Sequence, residues 1–263
     1  MATGLDLNAH HYKGHSSTQY ANVHNLLKMI AIHPECSILD IGCGHGEIIA
    51  ELSQLAPYGR CVGVDPSSSM ISLATDTFPE RTYKNLEFYQ AKAEEINFGP
   101  NTFDLVICTN ALQWVRNPKK ALKLMAKCLK PGGYLLILTY CKETPYVRLF
   151  ESVLNKYFPE LKNLSAVNTM LSIEEHKKVL ERNHLLLEFF EPTQVVFEYK
   201  NGEEFKNYIK GWLTCYAPIS HEQHEYFLQK VVEESNLYNI SSDPIEIAIP
   251  HQRLSIKACK IET

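Results

Sequence analysis

Residues 37–56, SILDIGCGHGEIIAELSQLA, set a short apolar run against three glycines within five positions and then an amphipathic helical pattern. A run apolar at nearly every position reads as a strand buried on both faces, the signature of a parallel sheet covered by helices on each side. Strand, glycine loop and helix in that order predict a βα unit. The next apolar run, RCVGVD, ends at Asp65 and predicts a parallel βαβ winding.

The cycle repeats. MISLATDTF reads as a helix and LEFYQAK as a strand, and a third turn gives FDLVICTNAL, PKKALKLMAKCL and YLLILTY. Lys130-Pro131-Gly132-Gly133 is expected to end the helix before it, with glycine as the left-handed cap and proline blocking continuation. Beyond Tyr140 the alternation breaks. Glu143–Asn183 reads mostly helical, Leu185–Tyr199 as a strand, Glu203–Asn236 as helical, and Arg253–Cys259 as a last strand. The expected architecture is α/β, a doubly wound sheet with helical insertions late in the chain. We expect a single domain over residues 1–263, with the sheet built from about 35–140, 185–200 and 250–260. Helical cover would come from 1–30, 141–184 and 202–240.

A length of 263 residues suffices for a sizeable core. With 45% apolar residues and a net charge of -4, the chain belongs with soluble globular proteins, and the charge balance argues against a nucleic-acid binder. Eight cysteines without a CxxC pair, most of them in or beside apolar runs, point to free thiols and a reduced cytoplasmic setting. No apolar stretch has the length of a signal peptide or a membrane span.

In an open parallel sheet a ligand sits past the carboxyl ends of the strands, where strand order reverses. Gly42, Gly44 and Gly46 would let the backbone approach a ligand there. Asp65, 19 residues beyond Gly46, ends the second strand, where a carboxylate accepts both hydroxyls of a ribose. A nucleoside ligand is therefore expected. Asp40 separates two candidates: it would repel a pyrophosphate and welcome an amino acid carrying a sulfonium. An NAD-linked oxidoreductase is disfavoured by that carboxylate and by the lack of a G-x-G-x-x-G loop.

LDIGCGHG, GVDPSSSMI, FDLVICTNALQWV and LKPGGYLLI, in this order, resemble the class I S-adenosylmethionine-dependent methyltransferases. ALQWV and the late PHQRLSIKA strand are similar to trans-aconitate methyltransferase and its small-molecule relatives, with a layout like that of insect juvenile hormone acid methyltransferases. The resemblance implies a Rossmann-like, mostly parallel seven-stranded sheet and S-adenosylmethionine as cofactor, with S-adenosylhomocysteine as product. It also implies roles. Asp40, Gly42 and Gly44 would line the methionine part, Asp65 the ribose, and Pro66 or Met70 the adenine; Asn110 would face the methionine end. The family's acidic residue against the adenine amino group is Lys92 here, so Ala93 backbone or Glu94 would replace it. Gln19 and Trp114 would donate hydrogen bonds to an acceptor carboxylate.

Methyl transfer to a carboxylate is a displacement that needs alignment and exclusion of water but no base. Another acceptor atom would need one, for which His15, in an N-terminal stretch with Tyr12 and Ser16, is a candidate. Tyr140, Tyr146, Phe150, Trp212 and Tyr216 are candidates for an apolar acceptor site, and Arg148, Arg182 and Arg253 for pairing with an acidic one. His45 sits in the glycine loop, Cys43 reads as a packed thiol, and HEQHE has its histidines three apart, not the four of a zinc helix. No metal is expected. The expected acceptor is a small, acidic, partly apolar molecule, met by a monomer away from membranes. Rival readings are carbon or nitrogen methylation of a metabolite, carboxyl methylation of an acyl group on a carrier protein, and non-catalytic cofactor binding. The late helical insertion is expected to act as a lid.

Overall fold

The computed structural model describes residues 17–161, 169–216 and 219–262, without the side chains of 17–21, 214 and 215. Seven strands form one sheet in the order β3-β2-β1-β4-β5-β7-β6. They are β1 (Ile38–Ile41), β2 (Cys61–Asp65), β3 (Leu86–Gln90), β4 (Phe103–Thr109), β5 (Leu129–Tyr140), β6 (Leu185–Tyr199) and β7 (Ile247–Lys260). The first five pair in parallel, while β7 runs antiparallel to both β5 and β6. The expected Rossmann-like, mostly parallel, doubly wound sheet is present.

The central parallel strands β1, β2 and β4 are mostly apolar because both faces are covered. Leu39, Val62, Val64 and Val106 pack on one side with Leu122, Met125 and Leu180, from α4 (Pro118–Cys128) and α6 (Ile173–Arg182). Ile38, Cys61, Leu105 and Ile107 pack on the other with Val23 and Leu26 of α1 (Ser17–Leu27) and Ile49 and Leu52 of α2 (Glu47–Leu55). α3 (Ser68–Thr77) joins β2 to β3, capped by the Ser67 hydroxyl, which accepts from the Met70 amide.

A third core lies at one end of the sheet and is largely aromatic. It joins α5 (Pro145–Tyr157), α7 (Gly202–Lys210), α8 (Leu213–Tyr216) and α9 (His224–Ser235) to the start of β7. Thr144, buried just before α5, accepts from the Gln252 amide at 2.7 Å, and the Cys141 amide donates to the Gln252 carbonyl. These bonds fix the late helices on β7.

Two expectations need correction. Lys130-Pro131-Gly132-Gly133 is not a helix cap: α4 stops at Cys128, and Leu129 is already extended and paired with Phe103. Tyr134 pairs with Leu105, so residues 130–133 bulge out opposite Asp104, whose carboxylate takes Lys130 Nζ at 2.8 Å. The final strand begins at Ile247, ahead of both the 250–260 sheet segment and the Arg253–Cys259 run expected from sequence, because the chain pairs with β6 from Tyr199 onward before it reaches β5.

Within that bulge Gly132 has φ +77° and open space around it, whereas a Cβ at Gly133 would lie 2.9 Å from the carbonyls of Asp104 and Lys130. Gly132→Ala is expected to cost about 1 kcal/mol for the left-handed backbone alone, and Gly133→Ala more, in urea unfolding. Equal tolerance of the two would argue against the bulge geometry.

Candidate functional site

Strand order reverses between β1 and β4, and the loops leaving those strands meet there. A Cβ at Gly42 would fall 2.2 Å from the Cβ of Ala111, so glycine is required for the two loops to touch. At Gly44 (φ +54°) a Cβ would meet nothing, leaving the loop open on the side a ligand approaches. The Gly42 and Cys43 amides both donate to the Val64 carbonyl, which ties the loop to β2.

Two carboxylates are buried against this loop. Asp65 accepts from the Gly44 amide at 3.0 Å and the Ser67 amide at 2.9 Å. Burial raises its pKa while those two bonds pull the other way. Asp40 is only 2% exposed, and its Oδ1 has no hydrogen-bond partner among the described residues. Its carboxyl is pushed up to about 8, first by burial and then by the charge of Asp65. Across the reversal point Asn110 is held at φ +54°, with its own buried Oδ1 also unpaired. Gln113 steadies it: its Nε2 donates to the Asn110 carbonyl at 2.9 Å, while its Oε1 accepts from the Thr139 hydroxyl. Nothing in the local sequence marked Gln113 for this role.

Two unpaired acceptor oxygens beside a buried carboxylate suit an ammonium, and the same charge would oppose a phosphate. Asp65 still has lone pairs for ribose hydroxyls. Pro66 is half-buried beyond Asp65, and Met70 is buried in the first turn of α3. Ala93 is buried and Glu94 half-buried, while Lys92 turns outward to pair with Glu95 at 3.0 Å. These residues fit an adenosyl group joined to an amino acid.

Next to this half stands the aromatic end of the sheet. Trp114 follows β4 in a short 3-10 turn (Leu112–Trp114) and stacks on Trp212, ring centroids 5.5 Å apart. Tyr146 and Phe150 pack on Trp212, and Tyr216 on Phe150, so the aromatic set expected from sequence does converge. No described residue pairs with the Trp114 indole N–H. Tyr140, at the end of β5, pairs in register with Arg253, whose Nε is buried and unpaired. Arg148 and Arg182 are exposed on helices.

Other expected residues lie apart or undescribed. Gln19 is in the first turn of α1, but its side chain is outside the described residues, as are Tyr12, His15 and Ser16. His45 approaches Glu47 at 3.2 Å. Burial, then Asp40 and Asp65, push the Cys43 thiol well up, which makes it inert. His224 Nε2 meets the Ile219 carbonyl at 3.0 Å. Among the described residues no three metal-binding side chains converge, and no helix is long and apolar enough to cross a membrane.

This arrangement defines a class: residues 32–209 match the model of a methyltransferase domain, and the chain belongs to that family. It is a class I S-adenosylmethionine-dependent methyltransferase. The 235L protein of Invertebrate iridescent virus 6, itself named as a methyltransferase, is 24% identical over 225 residues, 85% of this chain and 83% of that one. The ubiquinone/menaquinone biosynthesis C-methyltransferase UbiE of Pseudomonas putida (strain GB-1) is 39% identical over 109 residues, but the match spans 41% of this chain and 43% of UbiE. In fold, YcgJ of Bacillus subtilis superposes with a TM-score of 0.64 at 18% identity, covering 93% of this chain and all of that one.

The buried, unpaired carboxyl of Asp40 sets a pH dependence. A folded value of about 8, above the ordinary 3.8, means the free protein holds a proton that the unfolded chain has lost, so this group's contribution to stability falls as pH rises from about 4 to about 8. An ammonium ligand requires the ionised form. S-adenosylhomocysteine is therefore expected to bind more tightly with rising pH up to about 8. In Asp40→Asn this slope should vanish and affinity should drop about tenfold or more, read by calorimetry. A slope that survives in Asp40→Asn would assign the proton elsewhere.

Proposed function

We propose that this methyltransferase acts on a small, partly apolar acid and places the methyl group on a carboxylate oxygen. The observation that carries the reading is the donor set beside the cofactor half. Tyr146, with a buried unpaired hydroxyl, and the half-buried Trp114 belong to the aromatic core, and Arg253, with a buried unpaired Nε, pairs in register with Tyr140 at its edge. Donors without partners in such a setting suit an acceptor-only anion with an apolar body.

In this reading Asp40 and Asn110 hold the methionine ammonium, with Gly42 and Gly44 allowing close approach. Asp65 holds the ribose, Pro66 and Met70 flank the adenine, and Ala93 and Glu94 meet its polar edge. Bound S-adenosylmethionine supplies a sulfonium methyl open to in-line displacement. Trp114 orients the acceptor carboxylate, joined by Gln19 from α1, and Arg253 balances its charge. The aromatic walls keep water away. Both reacting charges fade as the methyl is transferred, so a dry site favours the step. Continuity supports the placement: the Asn110 amide donates to the Leu138 carbonyl, two residues before Tyr140 and its partner Arg253.

Transfer of labelled methyl from S-adenosylmethionine into the small-molecule fraction of a cell extract tests this. The label is expected to be released as methanol by mild alkali. Trp114→Phe should lower kcat/KM by about ten- to a hundredfold, the loss of one hydrogen bond to a charged group. Alkali-stable label would move the reaction to carbon, nitrogen or an ether oxygen.

A further inference from the structure

His251 lies in β7, 3% exposed, two residues before Arg253 and so on the same face of the strand. Its Nδ1 donates to the Ile249 carbonyl at 3.0 Å, which fixes the proton on that nitrogen. Burial pushes its pKa down to about 4, so the imidazole is neutral. Nε2 is left as a bare lone pair, buried and without a partner among the described residues. Its neighbours are aromatic faces: Tyr146 with ring centroids 4.2 Å apart, Phe197 at 4.5 Å and Tyr140 at 5.9 Å. The hydroxyl of Tyr146 is itself buried and unpaired.

A buried acceptor with no donor is scarce in native proteins and calls for an explanation. The Arg253 Nε–H, the Trp114 indole N–H and the Tyr146 hydroxyl can each donate to a carboxylate, but a carboxylate has no proton to give, so by itself it leaves Nε2 unsatisfied. A water bridging Nε2 and the Tyr146 hydroxyl is the competing account, and it predicts no effect on ligand choice.

We infer that His251 is a specificity residue of the acceptor site, whose Nε2 accepts a hydrogen bond from a hydroxyl or N–H on the acceptor. The substrate class is then a hydroxylated or N–H-bearing acid, its carboxylate toward Trp114 and Arg253 and its donor toward His251. This rests on the acceptor site placed above. An analogue lacking the donor is disfavoured because it buries the lone pair unpaired. No proton leaves in this contact; the methyl still goes to the carboxylate oxygen.

The test titrates the full chain, saturated with S-adenosylhomocysteine, with two matched pairs of acids. These are 4-hydroxyphenylacetate against phenylacetate, and 10-hydroxydecanoate against decanoate. In at least one pair the hydroxylated acid is expected to bind about five- to tenfold more tightly, the factor for one neutral hydrogen bond. His251→Phe should bring that ratio to about one without changing affinity for S-adenosylhomocysteine, and His251→Gln, which keeps an acceptor, should retain part of it. No preference in either pair, including a failure of all four acids to bind, would overturn the inference. So would a preference that persists in His251→Phe. The carboxylate reading fails separately, on alkali-stable label, so the two outcomes are distinct.

Discussion

The structure turns on a carboxyl group placed where the fold by itself cannot satisfy it. Asp40 is buried at the end of β1 with one oxygen unpaired, close enough to Asp65 for the two charges to repel, and no described cation answers either. Alone, such a group is held neutral at a cost to the folded state. Its arrangement makes sense around a ligand that brings a positive charge. The left-handed backbone of Asn110, the close approach of Gly42 to Ala111 and the buried Gln113 hold a second unpaired oxygen on the neighbouring loop.

The site is thus built from two unlike halves. The cofactor half is made by the parallel strands, whose carboxyl ends converge by winding alone, and its groups are carboxylates, amides and backbone. The proposed acceptor half is made by α5, α7, α8 and β7, and its groups are aromatic rings with a few donors and one imidazole. Polar atoms on one side and apolar faces on the other divide binding from selection. The stacked pair Trp114 and Trp212 stands at the seam, one ring from each half.

The central parallel strands were legible in the sequence because burial on both faces makes most of their positions apolar, and Leu185–Tyr199 was read to the residue. The β1 loop with Asp65 was legible because glycine spacing and a carboxylate at a strand end are local features. Lys130–Gly133 misled because the same residues serve a helix end and a bulge, and only the pairing of Leu129 with Phe103 separates the two. The last strand was placed at about 250–260 and starts a few residues earlier, at Ile247, because residues 247–252 lie beyond the β5 pairing and join the ladder through β6, with Pro250 opposite Val196. His251 carried no local signal. It stands two residues from Arg253, a candidate already in view, and strand alternation would have put both on one face, but its bare nitrogen depends on rings from α5, β5 and β6.

The position of β7 between β5 and β6 has a consequence for how the molecule comes together. β6 precedes β7 in the chain, yet it reaches the sheet only through β7. As the edge strand, β6 has β7 as its one sheet partner, so its place depends on a strand made after it, and β7 must also pair back across to β5. Closing that gap joins segments far apart in sequence, the kind of step that slows folding. Since β7 carries His251 and Arg253, the residues proposed to choose the acceptor depend on that long-range pairing, while the glycine loop rests on strands that pair without it.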